Sequence, residues 1–145
     1  MEYAIQSLAQ LAELAEHSLA TLEKSPSHAT ILGLSGDLGS GKTAFTKALA
    51  HALGVTEEVL SPTFVIAKFY SLKGARWERL IHVDAYRIEH EDELAPLRWD
   101  ELIADSRNLI VVEWPELLGK HYPPFAITMK FTFIDTETRK ITTYK

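Results

Sequence analysis

Ile5, Leu8, Leu11, Ala12, Ala15, Leu19 and Leu22 recur at spacings of three and four between residues 3 and 23. That period places them on one side of a helix, so the pattern predicts an amphipathic helix over this stretch. The polar segment KSPSH, residues 24–28, ends it. ATILGL, 29–34, is short, apolar and flanked by turn formers, which predicts a buried strand. Beyond a glycine-rich loop, Phe45, Ala48, Leu49, Ala52 and Leu53 mark a second helix that stops at Gly54.

TFVIAKFYSL, 63–72, and ERLIHVDAYRI, 78–88, are rich in strand formers and close enough to pair as a hairpin. HEDELAPLRWDELIADS, 90–106, is polar with scattered leucines and predicts one or two short helices. NLIVVEWPE, 108–116, predicts a buried strand ending in an acid, and the alternating stretch 123–145 predicts a closing hairpin. Strands interrupted by helices point to a single α/β domain over 1–145. Its expected form is a three-layer, P-loop NTPase-like unit with a mainly parallel central sheet and antiparallel additions.

The loop between the first strand and second helix carries the most specific chemistry. Gly36-Asp37-Leu38-Gly39-Ser40-Gly41-Lys42-Thr43 satisfies G-x-x-x-x-G-K-[ST]. Glycines let backbone N–H groups close around an anion without a Cβ in the way. The helix starting near Lys42 adds unpaired N–H groups and the positive end of its dipole. Lys42 is placed to reach the β- and γ-phosphates, and the Thr43 hydroxyl to ligate Mg²⁺.

Such a loop needs an acid for metal and water, and two stand at the ends of apolar runs. LIVVEW puts Glu113 where a strand emerges, and LIHVDAYR does the same for Asp84. Either acid is alternatively a solvated strand end. His82 is either a phosphate sensor or a structural histidine, and Trp114 either stacks near a ligand or packs. The guanine-reading Asn-Lys-x-Asp element is absent, since Asn108 is the sole asparagine. A compact ATPase acting on a partner is the leading reading. A small-molecule kinase is the alternative, and a nucleotide-gated binding module a weaker third.

Composition narrows the partners. The 145 residues carry a net charge of −5, so a direct grip on nucleic acid is disfavoured. No cysteine is present, which excludes disulfides and thiolate chemistry. No basic leader segment and no membrane-length apolar run are visible, so a cytoplasmic protein is expected.

Four blocks then occur in order: GDLGSGKTAFTKALA (36–50), SPTFVI (61–66), HVDAYRIE (82–89) and VVEWPE (111–116). Together they resemble the TsaE (YjeE) family of bacterial ATPases over about residues 29–118. The resemblance implies ATP with Mg²⁺ as cofactors and slow hydrolysis. It also implies a role in making threonylcarbamoyladenosine in tRNA through the TsaB–TsaD pair, which would carry the tRNA. By position it implies that Thr43 and Glu113 hold Mg²⁺ and that Asp84 supports water or metal. Ser61 to Thr63 would form a switch-like loop near the γ-phosphate.

Overall fold

The computed structural model describes residues 1–59, 66–86 and 88–144. In chain order the elements are β1 (Glu2–Ile5), α1 (Leu8–Thr21), β2 (Thr30–Gly36), α2 (Lys42–Ala52), β3 (Ala67–Ser71) and β4 (Arg79–Asp84). There follow a 3₁₀ segment (Glu91–Leu97), α3 (Trp99–Ile103), β5 (Asn108–Glu113), a second 3₁₀ segment (Pro115–His121), β6 (Ile127–Phe133) and β7 (Arg139–Tyr144). No helix among the described residues is long and apolar enough to cross a membrane.

The strands form one mixed sheet of seven, in the order β1-β7-β6-β2-β5-β4-β3. The four central strands β6, β2, β5 and β4 run parallel, and the hairpins β3–β4 and β6–β7 add antiparallel partners. Both expected hairpins are present. In the central strands, alternate residues feed two separate clusters. Leu32, Leu34 and Val111 pack with Leu11 and Leu14 of α1 and Phe45 and Leu49 of α2. Ile31, Ile81 and Val112 pack with Leu94, Trp99 and Leu118. Both faces are apolar because both are covered, as parallel sheets require.

The first element departs from the expected helix over 3–23. Residues 2–5 are a strand on β7, with Tyr3 opposite Ile141 and Ile5 opposite Arg139. Ser7 then opens α1, its hydroxyl accepting the Gln10 N–H at 3.1 Å. The helical period over-ran this cap because Ile5 stands three residues before Leu8, yet Ile5 is buried from strand β1 and Leu8 is 78% exposed. At the other end of α1, Arg76 donates to the carbonyl oxygens of Leu22, at 2.8 Å, and of Leu19, while its guanidinium stacks over Trp77. It thereby satisfies terminal carbonyls of a helix with no basic residue in its own last turn.

The strands that carry the candidate acids are pinned at their opposite ends. Arg79, first in β4, donates to Asp105 at 2.8 Å, and Arg107 donates to the same carboxylate at 2.9 and 2.7 Å. Hydrogen bonds from Arg107 and the nearby Arg79 charge hold the Asp105 carboxyl far below the usual carboxylate range. A carboxylate depressed on folding stabilises the fold above its unfolded pKa of about 4 and loses that contribution as pH falls through the folded value. Asp105→Asn is therefore expected to lower stability at neutral pH and to flatten the decline below about pH 4. Urea denaturation across pH 2 to 7 measures both.

Candidate functional site

Strand β2 ends at Gly36 and α2 starts at Lys42, so the glycine loop is the link between a central strand and a helix. Gly36 has φ 141°, and a Cβ there would lie 2.4 Å from the Phe131 carbonyl oxygen of the neighbouring strand. Only glycine admits both the left-handed backbone and the close approach. Gly41, φ 106°, turns the chain into α2 without a side-chain cap, leaving the first N–H groups of the helix available to an anion.

A cleft of about 260 Å³ lies over this loop. Lys42 and Thr43 line it from α2, Asp84 from the end of β4, and Glu113 from the end of β5; Leu38, Gly39 and Gly41 complete the loop side. Asp84 and Glu113 are directly opposite in the parallel β4–β5 register. Residues separated by dozens of positions thus meet at the C-terminal edge of the parallel strands, where open α/β sheets form ligand sites.

Thr43 donates its hydroxyl to Glu113 Oε1 at 2.9 Å. The other carboxylate oxygen, Oε2, is 2.5 Å from His82 Nε2. His82 is fully buried, and Glu113 is 4% exposed. Asp84 Oδ1 accepts the Tyr86 N–H at 3.0 Å. Lys42 is buried, donates to the Gly36 carbonyl oxygen, and places its ammonium 3.5 Å from the centroid of the Trp114 ring. Burial pushes the Lys42 ammonium below its ordinary pKa, opposed first by Glu113 and then by Glu116, Asp84 and Asp37. The lysine is folded onto its own loop, in position to turn toward an anion in the cleft.

Gly36, Asp37 and Ser40 are not part of the cleft lining. Asp37 accepts the Ser40 N–H at 3.1 Å within the loop. The Ser40 hydroxyl is buried without a partner among the described residues. Ser61, Thr63 and Arg87 lie outside the described residues.

Two features escaped the sequence reading. Trp114 has φ 62°, a left-handed backbone rare for a bulky residue. Its N–H still donates to Leu34 at 3.1 Å, and the turn sets its indole beneath Lys42 and 5.1 Å from the Tyr86 ring. His82 proves to be a partner of Glu113; the available signal was its place two residues before Asp84, on the same face of its strand.

The donor set suits a hard cation. Thr43 and Glu113 offer oxygens side by side, the type Mg²⁺ prefers. Among the described residues no group of three or more His, Cys, Asp or Glu forms a metal cage.

A glycine loop joining a central parallel strand to a helix, facing an acid on the adjacent strand, defines a P-loop-like α/β protein. The chain belongs to the TsaE family: the model of threonylcarbamoyl adenosine biosynthesis protein TsaE matches residues 5–141. The tRNA threonylcarbamoyladenosine biosynthesis protein TsaE of Bacillus subtilis is 39% identical over 112 residues, covering 77% of this chain and 67% of that protein. The protein of the same name from Streptomyces coelicolor is 49% identical over 84 residues, 57% of this chain and 55% of that one. The crystal structure of YdiB from Bacillus subtilis superimposes with a TM-score of 0.75 and 27% identity, over 99% of this chain and 83% of that one.

Proposed function

We propose that this chain is a Mg²⁺-dependent ATPase of tRNA threonylcarbamoyladenosine biosynthesis that acts in the cytoplasm through the TsaB–TsaD pair. The observation that carries the reading is the meeting of Lys42 and Thr43 with Glu113 in one cleft, in a member of the TsaE family. Burial of different clusters on the two sheet faces supports the three-layer P-loop NTPase arrangement.

Mg²⁺ bound with ATP would supply Lewis-acid stabilisation of charge on the transferring phosphoryl group. The loop N–H groups and Lys42 bind and orient the phosphates. Thr43 and Glu113 offer oxygens to the ion. Glu113 and Asp84 are the carboxylates available to orient water and take its proton. The acidic chain leaves the tRNA to its partners.

Phosphate release at saturating ATP tests this. Slow turnover alone, rising on addition of the TsaB–TsaD pair, is the expected result. Unchanged hydrolysis with no complex on a sizing column would remove the partner role. A phosphorylated metabolite in the same reactions would assign the cleft to a kinase instead.

A further inference from the structure

We propose that His82 is a positioning residue that sets the orientation of the Glu113 carboxylate against the glycine loop. His82 sits on β4 two residues before Asp84, fully buried, with Nε2 at 2.5 Å from Glu113 Oε2. Its Nδ1 is also buried and has no partner among the described residues. An ionised carboxylate only accepts hydrogen bonds, so the Nε2 that faces Oε2 is the donor of this bond. His82 is then a donor with one target. Its bond holds Oε2, which leaves Oε1 facing Thr43 at 2.9 Å. Without it, the carboxylate is free to rotate toward the Lys42 ammonium, whose charge it already feels. Of the charged groups facing the ring, Glu113 is in hydrogen-bond contact, Lys68 stands directly opposite on β3, and Asp84 lies two residues on along β4. Among the described residues the His82 side chain hydrogen-bonds Glu113 and no group of the glycine loop, so its effect on the loop runs through that carboxylate.

The kinetic arm of the test rests on the ATPase reading; the spectroscopic arm does not. His82→Leu keeps apolar bulk and removes the donor, whereas His82→Gln keeps an amide N–H at similar reach. His82→Leu is expected to lower kcat about tenfold to a hundredfold, the usual cost of losing a group that orients a ligand. KM for ATP should stay within about twofold, and His82→Gln should recover most of the loss. Thermal denaturation checks that each variant folds; if His82→Leu does not, His82→Gln against wild type carries the kinetic arm, with near-normal kcat expected.

Wild-type kcat in His82→Leu, equal impairment of Leu and Gln variants, or a folded but inactive His82→Gln would overturn the proposal. Independently, nitrogen-resolved NMR of the imidazole should show a proton on Nε2, with the Nε2 signal moving in Glu113→Gln. A bare Nε2, or a signal indifferent to Glu113→Gln, overturns it as well. Absence of turnover in the wild type would sink the ATPase reading and leave the NMR result to decide.

Discussion

Lys42→Ala is expected to weaken ATP binding on the order of a hundredfold or more. A hydrogen bond to a charged group contributes about 1.5–3 kcal/mol, and this ammonium has three donors to offer to adjacent phosphates. In the structure the cation is already desolvated, held by the Gly36 carbonyl and the face of Trp114. Turning it toward phosphate therefore exchanges weak partners for strong ones without stripping a full hydration shell, and alanine has no substitute for that exchange. The depressed pKa has the same cause: burial disfavours the charged form, against the opposing pull of Glu113 and the carboxylates around it. Calorimetry on the wild type and the variant measures the loss. Trp114 offers a second readout, because its fluorescence should change in the wild type as the ammonium leaves the ring. A variant that binds ATP as tightly as the wild type would refute the phosphate-loop assignment.

The second large effect concerns the two carboxylates. Glu113→Ala and Asp84→Ala are each expected to slow hydrolysis by on the order of a hundredfold or more, the scale seen when a preorganised charge or metal ligand is removed. ATP affinity should fall much less, because the loop backbone is untouched. The two acids differ in their surroundings. Asp84 is half-buried, and its Oδ1 caps the Tyr86 N–H. Glu113 is buried between Thr43 and His82. Removing it leaves the buried His82 N–H without its acceptor, at about 1–3 kcal/mol, and the half-buried Thr43 hydroxyl without its partner. Glu113→Ala should therefore also lower the melting temperature, while Glu113→Gln keeps an acceptor and isolates the effect on chemistry. Phosphate-release rates beside melting curves separate the two. Turnover within about twofold of wild type in both alanine variants would reduce these acids to strand-end carboxylates.

Local pattern was enough for most of the elements and for the loop. The apolar runs of β2 and β5, the stripe of α2, and both hairpins follow from period and turn residues, which act between near neighbours in the chain. The glycine-lysine-threonine spacing marked the loop between β2 and α2 because its conformation is set by its own residues. What the chain order could not settle was pairing. Residues 2–5 carry apolar positions that fit a helix, and they form a strand only because the free edge of β7 offers them hydrogen bonds. Asp84 and Glu113 were visible as strand ends, but their alignment depends on the parallel register of β4 and β5. The His82–Glu113 bond spans 31 positions and the Thr43–Glu113 bond spans 70, contacts that no local period encodes. The left-handed turn at Trp114, which brings an indole under Lys42, is likewise a product of packing. The sequence by itself determined most of the elements and the glycine loop, since each is a short-range property of the backbone and side chains. The tertiary structure alone decided which buried groups face one another, because that depends on strand order and register across the whole sheet.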